Sequence, residues 1–438
     1  MFAKYDAYKD SGLEWLGNIP QSWEVKPLKY GAKIVLGKML CPEDKGGYFL
    51  KPYLKSKNIQ WLKVDISSVE KMWFSKKELP LYQLQKGDLI LSEGGEVGKV
   101  CIWDNELEEC YIQNSAHKVS VDNTSDSKYH LYQMFAFGQR KLFDSIVNRV
   151  SIAHLTREKL SSIKFIFPSL SEQKQIVKFL DQKIFEIDQA IAIKEQQIAL
   201  LNERKQIVIQ KAVTQGLDPN VPMKDSGVEW IGQIPEHWEL KKIKHVTSKI
   251  GSGVTPSGGG ATYLDEGIPL LRSQNIHFDR IDLNDVARIS EKVHHSMSNS
   301  KVRKNDVLLN ITGGSIGRCY FVETSEEMNV NQHVCILRPK KNITSIFLNA
   351  VLASEVGQGQ IWYFQQGGGR EGLNFQALKN FDIALPPIEE QILISKKVEE
   401  IYQQFGNMNA HIQMQIEKLK EYKTTLINDA VTGKIKVA

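Results

Sequence analysis

No apolar run in the sequence approaches the roughly 18 residues that a membrane-crossing helix needs, so no span is predicted. The opening MFAKYDAYKD lacks the apolar core of a secretory signal. Cysteine is scarce: Cys41, Cys101, Cys110, Cys319 and Cys335 are odd in number and never spaced CxxC. That excludes a disulfide framework or zinc finger and points to a reducing, cytoplasmic setting. The patterns that carry chemistry are missing too. GGEVGKV (Gly94 to Val100) fails the GxxxxGK[ST] spacing of a phosphate loop, and GSGVTPSGGG (Gly251 to Gly260) lacks the third glycine of a dinucleotide fingerprint. There is no NPPY- or DPPY-like tetrad of the amino-methyltransferases, no HExxH and no paired-carboxylate nuclease pattern. His294 and His295 are adjacent, so they point in different directions and make a poor metal pair. The expectation is a chain with no catalytic residues, no metal ligands and no bound cofactor.

What is present suits a multidomain globular protein: 438 residues, 42% hydrophobic and 24% charged. The net charge of +5 is small, but its distribution is uneven. Residues 25–100 hold 14 lysines against 8 acids, an excess that fits either attraction to phosphate backbones or a solvated face.

Self-similarity is the strongest signal. DSGLEWLGNIPQSWE (Asp10 to Glu24) returns as DSGVEWIGQIPEHWE (Asp225 to Glu239), identical at ten of fifteen positions with an offset of 215. FPSLSEQKQI matches LPPIEEQILI and LNERKQIVIQKAVT matches LKEYKTTLINDAVT, both at an offset of 218. The chain therefore reads as two copies of one unit, too long for a solenoid repeat. Between the matched segments the outlines agree while polar side chains differ: PYLKSKNI faces LLRSQNI, KGDLILSEGGEVGKVCIW faces KNDVLLNITGGSIGRCYFV, and YIQNSAHKVSV faces VNQHVCILRP. One scaffold carrying two different binding surfaces explains this better than drift alone.

From Ser171 to about Ala212 there is no Gly or Pro, with Ser171 as predicted N-cap and Glu172 in the first turn. Leu180, Ile184, Ile187, Ile191, Ile198, Leu201, Val208 and Ala212 form an apolar seam interrupted by Lys194 and Lys205. In the second copy Val398, Tyr402, Phe405, Ile412, Ile416, Leu419, Leu426 and Ala430 do the same, interrupted by Asn409 and Lys423. The stepping of three and four predicts coiled-coil helices of about 40 residues, some 60 Å each, paired antiparallel within the chain so that both seams are buried. The polar interruptions fix register or meet a partner helix. Each domain reads as mixed α and β, with strands at KGDLILSEGG and NDVLLNITGG.

Together, the duplicated GxEWxGxIPxxW segments, the LPPxxEQ-like helix starts, the D(L/V)(I/L)L…GG…G(K/R) phrases and the NxxH and NQH segments resemble the specificity subunit of type I restriction-modification systems over essentially the whole chain. One departure is FPSLSEQ where the second copy has LPPIEEQ. The resemblance implies an α+β chain with two pseudo-symmetric α/β target recognition domains, separated by two long antiparallel helices that form a coiled-coil spacer. The expected boundaries are 1–24 (first repeat segment), 25–170 (first domain), 171–215 (first helix), 216–239 (linker with the second repeat segment), 240–388 (second domain) and 389–438 (second helix). It also implies that each domain reads half of a split double-stranded DNA site. The helices would hold the halves apart and dock two methyltransferase subunits, which use S-adenosylmethionine, with restriction subunits as an optional addition. Two other classes are kept open: a coiled-coil adaptor that never touches nucleic acid, and a methyltransferase or nuclease.

Base edges are read by side chains that offer donors and acceptors, and the candidates lie where the halves align but differ. In the first domain these are Lys55, Ser56, Lys57, Asn58, Glu93, Asn114, Ser115 and His117. In the second they are Arg272, Ser273, Gln274, Asn275, Thr312, Asn331, Gln332 and His333. Arg272 suits guanine and Gln274 or Asn275 suits adenine; the asparagines are equally suited to capping turns. Arg370, in a glycine-rich loop, is a further candidate, with Lys38, Lys45 and Lys51 as phosphate contacts. Trp15, Trp23, Trp230 and Trp238 recur identically, so they are expected to pack the junction of each domain with the spacer, or to meet a partner, rather than to stack on bases.

Overall fold

The computed structural model describes residues 2–143, 154–256, 258–365 and 372–437. The chain divides into two compact units: Met1–Lys194 with Met414–Ala438, and Glu195–Gln413.

Each unit is built on the same two sheets. In the first unit the strands are β1 (Ala32–Leu36), β2 (Phe49–Leu54), β3 (Glu70–Phe74), β4 (Leu89–Ser92), β5 (Val100–Ile102), β6 (Tyr111–Ile112) and β7 (Ala116–Val121). They form an antiparallel sheet β5-β4-β7-β1 and a mixed sheet β6-β2-β3, in which β6 runs parallel to β2. In the second unit they are β8 (Thr247–Ser252), β9 (Ile268–Leu271), β10 (Ala287–Ile289), β11 (Val307–Asn310), β12 (Cys319–Phe321), β13 (Asn329–Val330) and β14 (Val334–Pro339). Their orders, β12-β11-β14-β8 and β13-β9-β10, repeat the first unit strand for strand. The duplication seen in sequence is thus a duplication of fold.

The unbroken apolar runs of β4 and β11 have a structural cause: both faces are covered. Leu89 and Leu91 join the main core of the first unit, whereas Ile90 faces a separate cluster with Leu54 and Trp103. Val307 and Leu309 join the second main core, and Leu308 faces Leu271 and Val330. Successive side chains alternate faces, so each residue of the run has a buried destination.

The long helices span Leu170–Gln215 and Ile388–Val431. The first begins two residues earlier than the sequence suggested. Ser169, not Ser171, is the cap, its Oγ accepting from the Glu172 amide at 3.3 Å. The recurring glutamine of the helix starts is buried in both copies. Gln173 Oε1 accepts from the Asp126 amide (2.8 Å) while its Nε2 donates to the Pro168 carbonyl (2.9 Å). Gln391 repeats this with the Thr344 amide (3.0 Å) and the Pro386 carbonyl (2.9 Å). Each long helix is thereby tied to the start of a domain helix, Ser127–Gln139 or Ser345–Ala353.

Within the second unit Asn202 meets Asn409 and Lys205 meets Tyr402, an antiparallel order. Within the first, Lys423 pairs with Asp188 at 2.8 Å. The seam interruptions Asn409 and Lys423 therefore fix register. Trp23 and Trp238 are fully buried against these helices, in cores that include Leu180 and Leu426, and Ile209 and Ile394. Trp15 and Trp230 pack instead beside Phe137 and Tyr363 of the domains. In the first unit Lys436 donates from its amide to the Ala3 carbonyl (2.8 Å), and Tyr8 OH to the Gly433 carbonyl (3.1 Å), so Met414–Ala438 closes onto the first repeat segment.

Candidate nucleic-acid interface

β2 and β9 each end in a single 3-10 turn, Ser56–Asn58 and Ser273–Asn275, and each turn is held by a buried asparagine. Asn58 Oδ1 accepts from the Lys55 amide (3.1 Å), and its Nδ2 donates to the carbonyls of Asp65 (2.9 Å) and Ser68 (3.1 Å). Asn275 Oδ1 accepts from the Arg272 amide (3.0 Å) and its Nδ2 donates to the Asp282 carbonyl (3.0 Å). Only an amide side chain offers acceptor and donors at this reach. Asn58 and Asn275 are therefore buried scaffold residues of the turns and not the exposed base readers that the sequence suggested.

The other candidate segments converge on these turns. In the first unit the Gln113 amide donates to the Leu54 carbonyl, the Ser56 amide to Ser115 Oγ and the Glu93 amide to the Ser115 carbonyl, each at 2.9 Å. In the second, the Asn331 amide donates to the Leu271 carbonyl (3.0 Å), the Ile311 amide to the His333 carbonyl (3.0 Å) and Asn310 Nδ2 to the Ser273 carbonyl (2.7 Å). Glycine makes this convergence possible. A Cβ on Gly37 would lie 2.3 Å from the Gln113 carbonyl oxygen, and one on Gly253 would lie 1.8 Å from that of Val330.

The shared hydrogen bonds also set the alignment of the halves. Ser115 answers to His333 and Glu93 to Ile311, so His117 answers to Cys335 and not to His333. His117 is buried on β7, its ring nitrogen Nε2 2.6 Å from the Leu155 carbonyl, and burial lowers its pKa. It sits inside the fold, away from the surface where a base reader was expected. Asn331 is also buried, its Oδ1 accepting from the His333 amide (3.0 Å). Thr312 Oγ1 lies 2.6 Å from His333 Nδ1, and Thr255 Oγ1 donates to Gln332 Oε1. Asn114 Oδ1 accepts from Gln113 Nε2. Gln274 and Gln332 are exposed and Ser273 half-buried. Arg370 lies outside the described residues.

Charge differs most between the two turns. Lys55 Nζ and Lys57 Nζ both donate to Glu70 Oε1, at 2.7 and 2.9 Å, and Tyr53 OH donates to Glu70 Oε2 at 2.8 Å. These bonds, from Lys55 first, then Lys57 and Tyr53, hold the Glu70 pKa down to about 2. In the second unit the Arg272 guanidinium lies 5.8 Å over the Tyr263 ring and donates to the Asp285 carbonyl at 3.4 Å. Glu93 accepts from His154 Nδ1 at 2.9 Å. Lys38 and Lys51 are held by Glu78 (2.5 Å) and Glu109 (2.6 Å), which weakens them as phosphate contacts; Lys45 is exposed. Sequence reasoning missed Glu70, His154 and Thr255. Only the β2–β3 register, which sets Tyr53 against Glu70, brings Glu70 to the turn.

His294 is buried with Nδ1 on Asn329, and His295 Nδ1 lies 2.7 Å from the Glu291 carbonyl. Among the described residues no helix is long and apolar enough to cross a membrane.

A family model described as the type I restriction modification DNA specificity domain matches residues 20–203 and again 235–418. The type I restriction enzyme EcoBI specificity subunit of Escherichia coli is 27% identical over 362 residues, covering 81% of this chain and 75% of that protein. The MjaVIII specificity subunit of Methanocaldococcus jannaschii is 25% identical, covering 96% and 94%. Among solved structures, a chain from work on complex assembly and conformational transition of the type I R-M system superposes with a TM-score of 0.68 at 15% identity, covering 94% of this chain and 98% of that one. The HsdS subunit from Thermoanaerobacter tengcongensis gives 0.50 at 16% identity, with coverages of 95% and 98%.

Proposed function

The chain belongs to the type I restriction-modification DNA specificity family, and from that premise we propose that it is a non-catalytic subunit whose two domains each read one half of a bipartite double-stranded DNA target. The observation that carries this reading is the pair of convergent turns: the same backbone, the same buried asparagine, and different side chains at the surface. Lys55, Ser56, Lys57, Asn114 and Ser115 serve the first half-site. Arg272, Ser273, Gln274, Thr312, Gln332 and His333 serve the second. Bidentate contacts such as arginine to guanine discriminate a base by about 1–3 kcal/mol each, while lysines supply affinity that salt weakens.

The long helices, 46 and 44 residues without a break, set the gap tolerated between half-sites and dock two methyltransferase subunits. Those subunits bring S-adenosylmethionine and the reaction; restriction subunits join where present. The chain works in the cytoplasm, where its DNA and its buried thiols belong.

Methylation mapping in cells that carry this chain and its methyltransferase tests the reading. Exchanging residues 25–165 for those of another specificity protein should change one half of the methylated sequence and leave the other. Deleting residues 240–385 should abolish recognition of the second half. An unaltered bipartite sequence after either change would overturn the two-reader reading.

A further inference from the structure

The reader turn of the first unit carries two ammonium groups and one carboxylate that binds both. Glu70 arrives from β3, Lys55 and Lys57 from the turn after β2, and Tyr53, paired with Glu70 across the sheet, donates to the second carboxylate oxygen. The strand register therefore fixes where the carboxylate sits, and the carboxylate fixes where the two flexible lysine heads sit. Among the described residues, nothing equivalent stands in the second unit. Strand pairing sets Ala287 against Leu270 where Glu70 stands against Tyr53, and Arg272 is steadied by an aromatic face and a backbone carbonyl.

We propose that Glu70 is a positioning residue for DNA specificity: it restrains Lys55 and Lys57 from indiscriminate phosphate contact and presents their remaining protons to base edges. The proposal rests on the reading that this turn faces DNA. An ammonium has three donors. With one spent on Glu70, each lysine keeps two for an acceptor such as guanine O6 or N7. A phosphate reaching for the same lysine meets a carboxylate already bound there, and like charges oppose it. Specificity gained by penalising the wrong partner is a general device, and here the penalty falls on the sequence-independent part of binding. The low Glu70 pKa keeps the carboxylate charged throughout the working pH range.

The test uses the full chain assembled with its methyltransferase, with the methylated sequence and an unrelated duplex as probes over a range of salt. Glu70→Gln should tighten binding to the unrelated duplex by about tenfold and steepen its salt dependence by roughly one unit of log K per log salt, since each phosphate contact contributes about 0.9. The ratio of cognate to unrelated affinity should fall by about the same factor, and methylation should broaden at the first half-site alone. Glu70→Asp should restore most of the ratio. In a Lys55→Met, Lys57→Met background Glu70→Gln should change nothing further. Unchanged salt dependence and ratio in Glu70→Gln, with an unchanged melting temperature, would overturn the proposal, as would equal loss of binding to both duplexes. If the lysine double variant itself leaves binding and methylation unaltered, the reading of the turn as a DNA contact fails instead.

Discussion

The two units share strand order, turn geometry and helix tethers, yet they stabilise equivalent places by different means. At the start of β4 Asp88 is buried and accepts from Ser120 Oγ at 2.5 Å; at the start of β11 Asp306 is buried and held by Arg338 through two bonds of 2.7 Å. Within the domain helices, His130 is buried in the first unit where Leu348 is buried in the second. The scaffold specifies that a site be filled and leaves the chemistry of the filling free; both ring nitrogens of His130 are buried without a hydrogen-bond partner among the described residues. The same freedom holds at the two convergent turns, where Lys55 and Lys57 stand in the places of Arg272 and Gln274.

Removing Arg338 should give the largest effect. Arg338→Met leaves the buried Asp306 carboxylate without its ionic partner, with the Arg303 amide still donating to Oδ2 at 2.8 Å, and should cost about 3–5 kcal/mol, whereas Ser120→Ala in the first unit should cost about 2 kcal/mol. Denaturant unfolding followed separately in each unit measures both, and equal losses would show that the charge adds nothing to the comparison.

Acid should separate the units next. Burial lowers the His130 pKa from its ordinary 6.5 to about 4, so the folded chain holds the ring neutral. The unfolded chain binds the proton first as pH falls. Stability is therefore complete above about pH 6.5 and drains between there and about pH 4, by on the order of 3 kcal/mol. His130→Leu, which copies the second unit, should flatten that decline; a decline of the same depth in the variant would assign it to other groups.

Asn58→Ala and Asn275→Ala should each cost about 2–3 kcal/mol, because buried backbone groups lose their partners, and each should erase recognition of its own half-site. A loss at both half-sites from either variant would mean that the turns do not act independently. Lys423→Met should have the smallest effect. Its partner Asp188 is half exposed, and such pairs contribute about 1 kcal/mol or less. A shift in thermal midpoint well beyond that would mean the pair does more than set register.

Duplication, the long helices and the strand phrases were legible because they repeat or follow a period. The segments that form the two convergent turns were also legible, because they align and differ. Which of their residues face outward was not. Asn58, Asn275 and Asn331 have the chemistry of base readers, and only burial and hydrogen bonds assign them to the scaffold. His117 and His333 both follow an asparagine, but the shared hydrogen bonds set Ser115, not His117, in the place of His333. Glu70 could not be found from local sequence at all, since the pairing of β2 with β3 creates its relation to Lys55 and Lys57.

The closure of Met414–Ala438 onto the first repeat segment bears on the order of folding during synthesis. The second unit is one contiguous stretch, Glu195–Gln413, and can fold as soon as that stretch has left the ribosome. The first unit, although translated earlier, still lacks Leu426, Ile427, Ala430 and Val431 of its core at that moment. The part made first is thus the part completed last, and until then its apolar face is the one that chaperones would have to cover.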